Sequence, residues 1–185
     1  PICVSSVEPG LFPEAVKAGA SIVEIGNFDS FYPKGRFFFA DEVLELAAES
    51  RSLLPEVVLS VTVPHILSLD QQAKLALEMA EIGVDMIQTE GGMSSRPLSS
   101  GSLGLIEKAA PTLAAVHAIS DAFKKAQCSV PVLCASGLSS ITIPMALSVG
   151  ASGVGVGSAV NLLSDELSMI AVIRRLRESL NSSKP

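Results

Sequence analysis

Gly153-Val154-Gly155-Val156-Gly157-Ser158-Ala159 is a short apolar run that ends in small residues just before a helix-like segment. Val132-Leu133-Cys134-Ala135-Ser136-Gly137, upstream, ends in the same way. Glycine removes the side chain that would hold an anion off the backbone, so exposed N–H groups can point at a phosphate. Two such ends on successive strands match the place where (β/α)8 barrels commonly bind phosphate, after strands seven and eight. Close packing of a helix on a strand also demands glycine, and that reading stands beside the phosphate one.

Working outward, the stretch belongs to a weak internal repeat. Val149-Gly150-Ala151-Ser152-Gly153-Val154-Gly155 resembles Ala18-Gly19-Ala20-Ser21-Ile22-Val23-Glu24-Ile25-Gly26 and Ile82-Gly83-Val84-Asp85-Met86-Ile87-Gln88. In each, an amphipathic segment ends in a glycine suited to a left-handed helix cap, and a buried strand follows. Strands are expected at Ile2–Ser6, Ile22–Gly26, Val57–Val63, Met86–Glu90, Val132–Ser136 and Gly153–Gly157. Helices are expected near Pro13–Ala18, Asp41–Leu53, Asp70–Ile82, Pro111–Ala126, Ile141–Val149 and Asp165–Leu180. Asp70 reads as an N-cap, Pro111 as a first-turn residue, and Asp165-Glu166 as negative charge at the positive end of a helix dipole. Gly91–Gly104, rich in Ser and Gly, reads as a long functional loop.

Strict alternation of strand and helix predicts a parallel sheet wrapped by helices. Six units are two short of a barrel, which leaves either a (β/α)8 TIM barrel lacking two N-terminal units or an open doubly wound sheet. The repeat and the paired phosphate-type ends favour the barrel. The opening, Pro1-Ile2-Cys3-Val4-Ser5, reads like the middle of a strand, so residues 1–185 are expected to form a single barrel domain that is incomplete at its N-terminus.

Composition agrees. Of the 185 residues, 48% are hydrophobic, enough for one sizeable core, and the low aromatic content with no Trp suits buried parallel strands. A net charge of −6 offers no basic surface for nucleic acid. No apolar stretch approaches the roughly 20 residues needed to span a bilayer, so no membrane partner is expected. Cys3, Cys128 and Cys134 follow no metal spacing; Cys3 and Cys134 lie in apolar strands and read as small buried thiols in a reducing compartment.

Several longer stretches carry a family resemblance: Val23-Glu24-Ile25-Gly26-Asn27-Phe28-Asp29-Ser30-Phe31-Tyr32, Leu59-Ser60-Val61-Thr62-Val63-Pro64-His65, Ile87-Gln88-Thr89-Glu90-Gly91-Gly92 and Gly104-Leu105-Ile106-Glu107-Lys108-Ala109-Ala110-Pro111-Thr112. With the two small-residue strand ends, they resemble the hypothetical chloroplast reading-frame family numbered twenty-three, of plastids and cyanobacteria. The resemblance implies an aldolase-type TIM barrel with two further βα units ahead of Ile2–Ser6. It also implies a chloroplast stromal or cyanobacterial cytoplasmic location.

In a parallel barrel the C-terminal strand ends form the active face, and side chains alternate between the interior and the helix layer. A carboxylate facing the helix layer is costly, so Glu24 should point inward or up. The same alternation nominates Ser5, Ser60, Thr62, Gln88, Glu90 and Ser136 as one polar ring. Glu90, with Glu24 as partner, is the expected proton-transfer pair, since two carboxylates in one mouth can have their pKa values pushed apart. A structural hydrogen-bonding role at a strand end is the alternative for each. Ser136, Gly137, Gly155, Gly157, Ser158, Thr62 and Asn27 are the expected substrate- and phosphate-binding residues. His65 could enter the mouth from its loop, His117 falls inside an Ala-rich helix, and Asp29, Tyr32, Lys34 and Arg36 lie in the loop after the second strand.

No lysine lies in any of the six expected strands, so a Schiff-base lysine would have to be Lys34 or come from elsewhere. No His/Asp/Glu set has metal-ligand spacing, and no metal is predicted. Three functions follow: proton transfer on a small phosphorylated metabolite by an isomerase, epimerase or lyase; an FMN-dependent oxidoreductase using the same two loops; or a non-catalytic phosphometabolite-binding regulatory barrel. Free strand edges at either end leave a homo-oligomer as an open expectation.

Overall fold

The computed structural model describes residues 1–181. Six strands, β1 (Cys3–Ser6), β2 (Ile22–Ile25), β3 (Val58–Thr62), β4 (Met86–Gln88), β5 (Val132–Ala135) and β6 (Gly153–Gly155), pair in parallel in the order of the sequence. Between and after them come helices α1 (Phe12–Lys17), α2 (Ala40–Leu53), α3 (Leu69–Ile82), α4 (Gly101–Ala126), α5 (Ile143–Ser148), α6 (Ser158–Asn161) and α7 (Glu166–Asn181). Each strand is one or two residues shorter than expected.

Sequential order excludes a doubly wound sheet, whose strand order reverses. Curvature follows from a single cleft. Ser5 on β1, Glu24 on β2, Thr62 on β3, Gln88 on β4, Ala135 on β5 and Gly155 on β6 all line it. In a flat sheet with strands about 4.8 Å apart, β1 and β6 would be about 24 Å apart. The sheet is therefore a half-barrel.

The core lies between the outer face of this arc and the helices. Val23, Ile25, Leu59, Val61, Ile87, Val132 and Cys134 point outward and are buried. They pack on Val43 and Ala47 of α2, Leu75 and Met79 of α3, Val116 and Ile119 of α4, and Ile143 and Ala146 of α5. The inner face is only partly covered: Val58 is 41% exposed, and Cys3 is exposed rather than the buried thiol its apolar strand suggests. Cys3 lies on the inner face of an edge strand, whereas Cys134 faces the helices and is fully buried.

The repeat reading holds at the helix ends. Gly19, Gly83 and Gly150 all have positive φ, at 111°, 93° and 110°, the conformation a left-handed cap requires. Two helix starts differ. The cap of α3 is Ser68, in a capping box with Gln71, and Asp70 sits inside the helix. α4 begins at Gly101, so Pro111 lies in its middle. Proline deletes the amide that would reach the carbonyl of Glu107, and the Ser95 hydroxyl donates to that carbonyl instead at 3.3 Å. Asp165 does act as expected, accepting the Ser168 amide at 2.8 Å.

Candidate active site

The register aligns Ser5 with Glu24 and Ser60, and Thr62 with Gln88, so their side chains enter the concave face as neighbours. The result is a cleft of about 360 Å³ at the C-terminal strand ends. Within it, Glu24 Oε1 accepts hydrogen bonds from the Thr62 hydroxyl at 3.1 Å and from the Gln88 amide, which also donates to Thr62 at 3.3 Å. Burial pushes the Glu24 carboxyl above its usual range, the Ser5 and Thr62 hydroxyls pull it back, and the charge of Glu90 raises it further. Glu24 is thus a carboxyl fixed by one oxygen and ready to hold a proton. Ser60, placed in the same ring by sequence, is buried below the cleft, with no hydrogen-bond partner for its hydroxyl.

Glu90 stands in a different environment. Its Oε1 accepts the Tyr32 hydroxyl at 2.8 Å and the His65 amide at 3.3 Å, and its Oε2 accepts the Asp29 amide at 3.1 Å. The His65 ring nitrogen Nδ1 lies 3.2 Å from both Glu90 Oε1 and Asp29 Oδ1. Asp29 in turn accepts the Gly91 amide at 3.2 Å and the Ser94 hydroxyl at 2.6 Å. Its hydrogen bond to Glu90 is the largest influence on the His65 imidazole, holding it above its usual pKa against burial, with the charges of Asp29 and Glu90 adding to the rise. Burial, and then the charge of Glu90, keep the Tyr32 phenol far above its usual value, so Tyr32 is a permanent donor.

The two carboxylates stand in different surroundings. Both line the cleft, but Glu90 accepts several donors and ties together the Asp29, Tyr32 and His65 loops, while Glu24 is held through Oε1 with its carboxyl raised by burial. The loop after β2 makes this meeting possible. Asn27, at φ 62°, turns the chain left-handed into a short 3-10 turn at Phe28–Ser30, and the buried rings of Phe28 and Phe38 anchor it with centroids 4.5 Å apart. His117 is exposed on α4, and the Lys34 ammonium lies 5.8 Å from the centre of the Phe31 ring.

Spacing along the chain concealed one grouping. A ligand atom from each of Asp29, His65 and Glu90 falls within 4.8 Å of the others, a set able to hold a divalent cation, although Asp29 and Glu90 are 61 residues apart. Sequence alone placed Asp29 and His65 in loops just beyond two strands and Glu90 at the end of a third.

The two glycine-bearing ends turn out to be unlike each other. Ser136 and Gly137 both have φ 75°, and a side chain on Gly92 would come within 2.4 Å of the Gly137 nitrogen. Gly137 is therefore explained by close loop packing, and Gly155 similarly faces Ala135. Gly157 has open space around it and borders both the cleft and a second compartment of about 510 Å³, reached past Met93 and Ser136. Ser158 lines that compartment, as does Lys108 from α4, ahead of the helix start that Pro111 suggests in the sequence.

A parallel half-barrel with a polar cleft at its C-terminal strand ends is an aldolase-type barrel architecture, and solved structures agree. The fold is similar to 2,3-dimethylmalate lyase, a PEP mutase/isocitrate lyase superfamily member (TM-score 0.71, 13% identity, 97% of this chain and 63% of that one). It is also similar to the YdjI aldolase from Escherichia coli K12 (TM-score 0.54, 15% identity, 94% of this chain and 62% of that one). At such identities the likeness concerns the fold alone. Residues 1–185 match the family described as "Protein of unknown function (DUF561)", and the chain belongs to that family. It is 40% identical over 183 residues to the "Uncharacterized protein ycf23" of Porphyra purpurea, covering 99% of this chain and 67% of the relative. To that of Cyanophora paradoxa it is 41% identical, covering 99% of this chain and 73% of the relative. The chain thus spans about two-thirds of these relatives' length. Among the described residues, no helix is long and apolar enough to cross a membrane.

Proposed function

We propose that this protein is an enzyme of the isomerase, epimerase or lyase type that moves a proton on a small phosphorylated metabolite. The observation that carries the reading is Glu24: a carboxyl raised by burial, fixed through Oε1 by Thr62 and Gln88, at the wall of a cleft large enough for a small metabolite. As carboxylate, Glu24 takes a proton from a carbon next to a carbonyl. As acid, it returns that proton to the same or a neighbouring carbon, which completes epimerisation or isomerisation. Asn27 and Ser136 on the cleft wall supply polar side chains for the oxygen on which negative charge develops. Glu90 acts at one remove, holding the loops of Asp29, Tyr32 and His65 that close one side of the cleft. The algal relatives support a plastid or cyanobacterial setting for this chemistry.

Solvent hydrogen exchange tests the proposal. The intact protein is incubated in D2O with a panel of phosphorylated aldehydes, ketones and keto acids, and deuterium uptake is followed by NMR. Enzyme-dependent uptake at a carbon next to a carbonyl, lost in Glu24→Gln, is the expected result. Binding of panel members without uptake would replace the enzyme by a regulatory barrel.

A further inference from the structure

Asp29, His65 and Glu90 are spaced as the ligands of one ion are spaced. They come from three loops, after β2, β3 and β4 respectively. His65 Nδ1 lies 3.2 Å from Asp29 Oδ1 and 3.2 Å from Glu90 Oε1. Ligand atoms about 2.1 Å from a shared ion lie about 3.0 Å apart at octahedral angles and about 3.4 Å apart at tetrahedral ones, so this spacing suits either. The two carboxylate oxygens, within 4.8 Å of each other, are the pair an ion would draw closer. Outer contacts hold the set in place. Each carboxylate gives its other oxygen to a backbone amide: Glu90 Oε2 accepts Asp29 N–H at 3.1 Å, and Asp29 Oδ2 accepts Gly91 N–H at 3.2 Å. The Ser94 and Tyr32 hydroxyls then fix Asp29 Oδ1 and Glu90 Oε1, at 2.6 and 2.8 Å. Such partners orient metal ligands.

Charge is a second and separate observation. Asp29 and Glu90 are each only 5% exposed. No lysine or arginine among the described residues lines the cleft, and the ion-paired ones are taken by Glu42, Asp85, Glu78 and Asp121. A protonated His65 offsets one of the two buried negative charges and leaves the other; a divalent ion on a neutral imidazole offsets both. Buried charges are paired or coordinate metals. We infer that Asp29, His65 and Glu90 bind one divalent first-row transition-metal ion, of the Mn2+, Co2+ or Zn2+ kind, with its remaining positions open to the cleft. One nitrogen and two oxygens favour such an ion over Mg2+ or Ca2+, which take oxygen ligands. Without the ion, the Nδ1 proton holds the place between the carboxylates, and binding displaces it. The inference rests on the proton-transfer reading only for the ion's role. Because Asp29 and Glu90 line the same cleft as Glu24, the ion can take the substrate's carbonyl oxygen and stabilise the charge that develops there.

Tyr32 supplies the test, since it is the chain's one tyrosine, there is no tryptophan, and its hydroxyl touches Glu90. Co2+, whose open d shell quenches a nearby phenol, is titrated into the intact, chelator-treated protein. The expected result is saturable loss of tyrosine fluorescence at one ion per chain, restored by Zn2+ and not by an equal amount of Mg2+. His117→Gln, which removes the other histidine, should quench like the parent. Asp29→Asn and His65→Gln should need at least about a hundredfold more Co2+, since loss of an outer-shell partner alone costs about 10–100-fold. Absence of saturable quenching in the parent, its loss in His117→Gln, its restoration by Mg2+, or unchanged quenching in the folded ligand variants would overturn the site. Circular dichroism shows whether those variants fold; if they do not, the parent and His117→Gln titrations decide. Failure of deuterium exchange by the metal-loaded protein, with quenching intact, would instead remove the proton-transfer reading and leave the ion site standing.

Discussion

The hydroxyl of Tyr32 donates to Glu90 Oε1 at 2.8 Å, which ties the loop after β2 to the end of β4 across the mouth of the half-barrel. Glu90 is almost wholly buried, so each donor it keeps offsets part of its desolvation. Tyr32→Phe removes one of these donors while leaving the ring in place. Thermal denaturation should show a loss of about 1.5–3 kcal/mol, the range for a hydrogen bond to a charged group. A melting temperature equal to that of the parent would mean that the tie contributes nothing.

His65 gives stability a pH dependence of known sign. Its hydrogen bond to Glu90 raises the folded-state pKa above the ordinary histidine value. A proton bound more tightly in the folded state stabilises the fold fully below the unfolded pKa, about 6.5, and the contribution fades as pH climbs through the raised value. The stability difference between the parent protein and His65→Gln should therefore be larger at pH 5.5 than at pH 8.5. Urea unfolding at the two pH values measures it, and a difference that grows with pH contradicts the imidazolium between Glu90 and Asp29.

Glu24 predicts a trade between stability and activity. Burial raises its folded pKa, so its ionisation weakens the fold as pH rises above the ordinary glutamate value. Glu24→Gln keeps an acceptor for Thr62 and Gln88 without the charge. At neutral pH it should melt higher than the parent and lose proton exchange, with the gain in stability shrinking toward pH 4. A lower melting temperature at neutral pH would show that the charge is wanted by the fold.

The glycines separate by substitution. A Cβ at Gly92 would meet the Gly137 nitrogen at 2.4 Å and backbone on both sides of it, so Gly92→Ala must push two loops apart. A loss of about 1–3 kcal/mol is expected from such overpacking. Gly157 has nothing within 4 Å and a φ of −111°, so Gly157→Ala should change stability by no more than about 0.5 kcal/mol. Gly157→Val should likewise fold, yet weaken phosphate binding by blocking its approach to the backbone. Equal melting temperatures for Gly92→Ala and Gly157→Ala would remove the distinction between the two strand ends.

What the sequence determined was the alternation. Apolar runs led by Gly19, Gly83 and Gly150 specify helix, left-handed cap and buried strand, because cap and strand chemistry are local. That rhythm placed six parallel strands in order and turned Glu24, Thr62 and Gln88 to one face, since a period of two needs no knowledge of neighbours. Only the tertiary structure decided what those residues do. Pro111 reads as a helix start until Ser95 is seen to satisfy the carbonyl it frees. Glu90 stands at a strand end in the sequence, and only the fold shows four donors from distant loops converging on it. Such roles depend on desolvation and on partners tens of residues away, which are fixed only when the arc of strands brings its ends around one cleft.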